Sequence, residues 1–256
     1  MNTPGQFAAL LLAGSSGLSI VPGSAMLTYA SGRALDVADA PLTTSISSYD
    51  GSIAALGIGA GLLLTSGDAA PAARNTSSQY TVELDTSHLD ADLTAAAKAG
   101  FPEAGMVQDA TVLQFQFTVT DPALTGIQFD LVFGSDEYPE FSDTDFVDIG
   151  AVFVNGVNRA LFNDKTDQPL SVIEKNLSDG GFRDNTDSAI PVEYDGVSVK
   201  LTIVAPVVAG VNTIKIAVGD TGDPSWDSGL FVSNLRAVAF SGTGLNKVIE
   251  GTGGAD

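Results

Sequence analysis

The densest chemistry in the sequence lies in residues 133–148. Six carboxylates (Asp136, Glu137, Glu140, Asp143, Asp145 and Asp148) fall within thirteen residues that contain no Lys or Arg. Like charges this close repel at neutral pH unless water, protons or a metal offsets them. Phe133, Tyr138, Phe141 and Phe146 punctuate the run, so the segment is expected to be pinned to a core with some carboxylates turned inward. A hard dication suits that arrangement, because calcium accepts roughly 6–8 oxygen ligands in flexible geometry and closely spaced Asp and Glu on an irregular loop can supply them. The spacing is not that of an EF-hand, which needs ligands at alternate positions, a central Gly and a closing Glu. Here Asp143 and Asp145 are followed by Val147 and Asp148.

A second acidic stretch repeats the logic with Asp220, Asp223, Asp227 and Ser228. If the strands before the two stretches end on the same side of the fold, both converge on one metal cluster. The expected ligands are Asp136, Glu137, Glu140, Asp148, Asp220, Asp223, Asp227 and Ser228. Tyr138 and Trp226 are candidates for contact with a bound ligand, since an amphipathic ring suits a binding surface; the alternative for Trp226 is a core anchor. For any single Asp the alternative is a solvated turn, as Asp caps its own backbone.

The elements that must hold these residues read mainly as strands. Leu113, Phe115, Phe117 and Val119 alternate with polar residues, and so do Ile127, Phe129, Leu131 and Phe133, then Val197, Val199, Leu201 and Ile203, then Ile214, Ile216 and Val218. A period of two implies strands with one buried and one wet face. Asn155-Gly156 between two apolar runs predicts a two-residue hairpin. Residues 89–98 predict a helix, with Asp90 near its start and Lys98 in its last turn. Strand runs separated by Gly, Asp and Pro, without alternating helices, predict a mainly β protein: an antiparallel β-sandwich with long acidic metal-binding loops and one or two short helices. Residues 1–247 are read as one β-rich ligand-binding domain and 248–256 as a tail.

Composition narrows the function. The 256 residues hold 31 Asp and Glu against 11 Lys and Arg, a net charge of -20, which disfavours nucleic acid and anionic membranes as partners. Residues 53–64 form the longest nearly apolar run, too short for the ~20 residues of a membrane span. The absence of cysteine excludes disulfides and thiolate metal sites. His88 is the single histidine, and no G-x-S-x-G string accompanies it, so a Ser-His-Asp triad has little support. Gly57-Ile58-Gly59-Ala60-Gly61 lacks the spacing of a dinucleotide fingerprint. A glycosidase using Glu137 and Glu140 or a pair of Asp is the rival class, because such enzymes need only two suitably placed carboxyls.

Phe133-Gly134-Ser135-Asp136-Glu137-Tyr138-Pro139-Glu140-Phe141, then Phe146-Val147-Asp148, Tyr194-Asp195-Gly196, Asp220-Thr221-Gly222-Asp223 and Asp227-Ser228 together resemble the choice-of-anchor L family of bacterial surface and secreted proteins. The amino-terminal half agrees more loosely, through residues 10–20 and 59–67. Two positions depart: Asp136 stands where the family more usually has Glu, and Val147 where it has Asn. The resemblance implies a module similar to calcium-dependent peptide-binding domains of repeats-in-toxin (RTX) adhesins, displayed at the bacterial surface or secreted. Its partner would be a peptide or glycan on a host or neighbouring cell, with calcium as cofactor, no catalysis and no membrane insertion. Gly251-Thr252-Gly253-Gly254-Ala255-Asp256 looks like the opening of a calcium-binding nonapeptide repeat, which fits a monomeric module in a larger adhesin exported by type I secretion. In this reading bound calcium orders the acidic loops and offers an open position to a ligand carboxylate or sugar hydroxyl. A calcium-dependent glycan-binding module and a hydrolase with paired carboxylates are the alternatives. Asp195 is read as a turn residue.

Overall fold

The computed structural model describes residues 3–12, 14, 16–28, 45–70, 73–82 and 89–240, with the backbone of 247–250. His88 and residues 251–256 lie outside the described residues. The strands in chain order are β1 (Leu18–Ile20), β2 (Met26–Thr28), β3 (Ile46–Tyr49), β4 (Gly61–Thr65), β5 (Val107–Val119), β6 (Gly126–Ser135), β7 (Ile149–Val154) and β8 (Val157–Asn158). They continue with β9 (Leu170–Ser171), β10 (Phe182–Asp184), β11 (Gly196–Ser198), β12 (Leu201–Pro206), β13 (Val211–Thr221), β14 (Ser228–Val238) and β15 (Lys247–Glu250). Three α-helices occur among the described residues: α1 (Pro4–Leu11), α2 (Ala91–Gly100) and α3 (Glu174–Ser178). None is long and apolar enough to cross a membrane.

The strands build two antiparallel sheets packed as a sandwich, as the alternating patterns predict. The first runs β1-β5-β13-β7-β8, with β2 also on β5 and β9 on β7; the second runs β10-β11-β6-β14-β4-β3, with β12 on β6 and β15 on β12. Leu113, Phe115 and Phe117 of β5, Phe129, Leu131 and Phe133 of β6, and Ile214, Ile216 and Val218 of β13 fill the space between the sheets. Phe7, Ala8 and Leu11 of α1 join this core. The helix starts at Thr3 in a reciprocal capping box with Gln6, and Pro4 occupies its first turn.

The expectation of one wet face per strand holds only in part. Gln114, Gln116 and Thr118 do reach outward from β5, but β7 is buried along its whole length and β6 nearly so. Both outer faces carry a cover. Leu93, Ala96 and Ala97 of α2 pack on Val107, Val112, Ile149 and Ala217 of the first sheet. On the second sheet Ile190, Val192 and Tyr194 close over Val132, Val197 and Phe231. Burial on both faces produces near-continuous apolar strands.

Local signals fare well. Asn155 (φ 51°) and Gly156 (φ 79°) turn β7 into β8 with the two positive φ values of a type I′ hairpin. Asp90 caps α2 by accepting the N–H groups of Asp92 (3.0 Å) and Leu93 (2.9 Å), and its carboxylate pairs with Lys215 at 2.7 Å. The alternation across 197–203 divides into two strands, β11 and β12, on either side of Val199 and Lys200. Both pair with β6, β11 at its Ser135 end and β12 along its first half.

Candidate functional site

Two crossings between the sheets lie side by side at one end of the sandwich. The chain leaves the second sheet at Ser135, runs through residues 136–148 and enters the first sheet as β7; it leaves the first sheet at Thr221 and returns as β14 at Ser228. The two acidic stretches therefore converge, as their positions after strands suggest. Thr221 N–H donates to Asp148 Oδ1 (2.9 Å), Thr221 Oγ1 donates to the Asp145 carbonyl (2.9 Å), and Asp136 N–H donates to the Asp227 carbonyl (3.3 Å).

The carboxylates at this end are buried to an unusual degree. Asp136, Glu137, Asp148, Asp220 and Asp227 are each 0–3% exposed. Among the described residues, ion pairs join Lys175 to Asp167 and Lys215 to Asp90 and Asp92, and none of these pairs includes a member of this group. Isolated buried charge is costly, so such groups stay neutral or find a cation.

The acids fall into an inner and an outer set. Asp148, Asp220 and Glu137 form the inner set, between the sheets. Asp148 is held on both oxygens, by Thr221 N–H and by Ser228 Oγ at 2.8 Å. Asp220 has no normal hydrogen bond on either oxygen, although the Ser66 hydroxyl lies near enough to temper its charge, and Glu137 Oε2 is likewise unpartnered. Burial first, then the neighbouring Asp148 carboxylate, pushes Asp220 well above the usual carboxylate range. Burial also raises Asp148, and it lifts Glu137 to about 10 with help from Asp148 and Asp223.

The outer set follows from sheet register. Gly196 pairs with Ser135 and Ser135 with Ser228, so the next position of each strand brings Asp195, Asp136 and Asp227 into one row across β11, β6 and β14. Strand alternation turns this row to the outer face, the side on which Tyr194 packs over Gly134 and Gly229. A Cβ at either glycine would overlap the tyrosine ring, so the Gly134–Gly229 pair makes room for it. Gly67 makes room in the same way for the Asp227 carboxylate, whose Oδ2 accepts Val82 N–H at 2.8 Å.

Glu193 and Asp195 complete the outer set, both buried. Glu193 Oε1 accepts from Thr76 N–H (2.9 Å) and Thr76 Oγ1 (2.7 Å), and Asp195 Oδ1 accepts from Asn75 Nδ2. The second oxygen of each has no partner, and neither oxygen of Asp136 has one of normal geometry, although the Asp195 N–H points its way. Burial, then the charges of Asp195 and Glu193, lifts Asp136 to about 10. Asp227 reaches about 7, chiefly through burial and against the Val82 hydrogen bond.

The remaining expected residues stand elsewhere. Glu140 is exposed, and Asp223 is half-buried with Oδ1 capping Ser225 N–H at 2.9 Å. Ser228 Oγ is engaged as the donor to Asp148. Tyr138 stacks on Phe182 (6.1 Å between centroids, 21°), and Trp226 meets Phe141 edge-on (4.5 Å, 85°). Both residues are half-buried, and each ring contact anchors its loop.

Among the described residues no three His, Asp or Glu side chains stand assembled as a ready metal cage. The fit to a cation rests on the orphaned oxygens, seven in all: both of Asp136, both of Asp220, and one each of Glu137, Glu193 and Asp195. Donors made only of oxygen, with no cysteine in the chain, suit a hard dication such as calcium. Glu193 escaped the sequence reading, and Asp195 entered it only within Tyr194-Asp195-Gly196, as a turn residue; the local signal for the pair is two acids flanking Tyr194 just before a strand.

Residues 26–236 match the family model described as Choice-of-anchor L domain. No curated protein and no solved structure matches the chain.

Proposed function

The chain belongs to the choice-of-anchor L domain family, which points to a bacterial surface or secreted protein domain, and we propose that it serves there as a calcium-dependent ligand-binding domain of an adhesin. The observation that carries the proposal is the set of fully buried, unpartnered carboxylate oxygens on Asp136 and Asp220. Glu137, Asp148 and Asp220 would hold a dication at the inner side. Thr221 N–H and Ser228 Oγ fix the Asp148 carboxylate, and the aromatic contact of Phe141 with Trp226 fixes the loops that bring the acids together. When bound, the ion supplies positive charge against these acids and an open coordination position for a ligand oxygen.

Phe141 and Trp226, both half-buried and in edge-on contact, belong to the same two crossings as the exposed Glu140 and the half-buried Asp223, and we read the ring pair as an apolar platform for a ligand. A peptide ending in a free carboxylate is the ligand class we favour. Without a cation, an acidic surface of this kind repels such a group. The RTX setting and export by type I secretion belong to the same proposal and are supported by the Gly-rich string Gly251-Thr252-Gly253-Gly254-Ala255-Asp256. We propose no catalysis, because burial raises both Asp148 and Asp220 well above the usual carboxylate range, whereas an acid–base pair needs one carboxyl raised and its partner left low.

Peptide and glycan arrays probed with calcium and with chelator test this. Saturable, calcium-dependent retention of peptides with free carboxy termini, lost on amidation, is the expected result. Equal retention in chelator, or release of a cleaved product, overturns it.

A further inference from the structure

We propose that this end of the sandwich binds two separate cations, the second held on the outer face of the second sheet by Asp136, Glu193 and Asp195. The inference shares with the reading above only the premise that the buried acids take a hard dication; it does not depend on ligand capture.

Asp136 and Glu137 are consecutive, yet they face different company. Asp136 feels Asp195, Glu193 and Asp227, whereas Glu137 feels Asp148 and Asp223 most strongly. Asp136 shares the outer face with Gly134, under the Tyr194 ring, while the inner set is tied to Ser228 and Thr221 between the sheets. One ion cannot satisfy both sets across the backbone of β6.

The outer set is not drawn into an assembled cage, but it offers buried free oxygens. Asp136, Glu193 and Asp195 are each 0–1% exposed, and four of their six oxygens lack a partner. The other two are held in place, Glu193 by Thr76 and Asp195 by Asn75. Asn185 fixes the approach of these residues to the sheet, donating from Nδ2 to the Tyr194 carbonyl (2.9 Å) and from its backbone to the Asp195 carbonyl (2.7 Å). Two carboxylates held by neutral donors beside a third with both oxygens free leave a buried charge that the ion pairs of Lys175 and Lys215 do not reach.

Calcium alone is the probe. Native mass spectrometry and calorimetric titration count the ions bound by the wild-type chain, by Glu193→Gln with Asp195→Asn, and by Glu137→Gln with Asp220→Asn. The outer pair should lose one ion and keep the inner one, and the inner pair should keep the outer one, with at least a tenfold loss of affinity at the altered site. Unchanged binding in the outer pair, or loss of the same ion in both pairs, overturns the inference while leaving the inner site standing. No binding to the wild type overturns both. If either pair fails to fold, wild-type crystals soaked in terbium decide: anomalous peaks on both faces of the second sheet support two sites, and a peak on the inner side alone refutes the outer one.

Discussion

Asp136 and Asp195 stand one rung beyond the Gly196–Ser135 pair, on adjacent antiparallel strands, with both side chains buried and free oxygens on each. Like charges directly opposite in a sheet destabilise it, and burial magnifies the cost. Two states would relieve the pair: a proton kept on Asp136, or the cation proposed above held between the two carboxylates.

Replacing Asp136 by Asn removes the charge and adds an amide donor facing the free oxygens of Asp195 and Glu193. In metal-stripped protein Asp136→Asn should leave the melting midpoint unchanged or raise it. In calcium at about 100 times its dissociation constant, the variant should forgo up to about 2.7 kcal/mol of the stabilisation that one ion gives the wild type. Differential scanning calorimetry with and without calcium measures both. A variant that keeps the whole calcium increment removes Asp136 from the site.

The metal-stripped chain should lose stability as pH rises. Asp136 and Glu137 at about 10 and Asp227 at about 7 lie above their unfolded values of roughly 4. The folded state therefore binds more protons than the unfolded one. The stabilisation is complete below about pH 4 and drains away as pH climbs through 7 toward 10. Calcium needs the deprotonated acids, so its stabilising effect should grow over the same range. Melts of resin-stripped and calcium-loaded protein at pH 5 and pH 8 provide the check. A stripped protein more stable at pH 8 than at pH 5 contradicts the burial of these groups.

Gly229→Ala places a methyl against the Tyr194 hydroxyl. Overpacking of this kind costs about 1–3 kcal/mol, read as a lower midpoint in saturating calcium. Tyr194→Phe removes the clashing oxygen and should restore part of the loss in the double variant, whereas it should not rescue Gly134→Ala, which meets the ring itself. Strict additivity of Gly229→Ala and Tyr194→Phe would contradict the packing described here.

The fold and the site were legible to different depths. Asn155-Gly156 and the Asp90 cap act within a few residues of themselves, and the pattern of Leu113, Phe115 and Phe117 is periodic within one strand, so these features showed in the sequence. The acidic run at 136–148 stood out by density alone. Density also promoted Glu140, which is exposed, because it carries no information about which way a side chain turns on an irregular segment. Glu193 and Asp195 lie nearly sixty residues from Asp136, and only the β11–β6 register joins them. The cover that Ile190, Val192 and Tyr194 lay over the second sheet is equally non-local, which is why a wet face was expected where a second core exists.

If a hard dication completes the buried acids at the Asp136–Asp227 end of the sandwich, removing it must destabilise the fold. Thermal melting of the intact, demonstrably calcium-loaded chain, before and after chelation at pH 7.5, measures this. At calcium about 100 times its dissociation constant, loss of one ion should lower the midpoint by roughly 5–10 °C, and restored calcium should recover it. A midpoint that does not move when the bound calcium is removed would show that these carboxylates are held by protons alone.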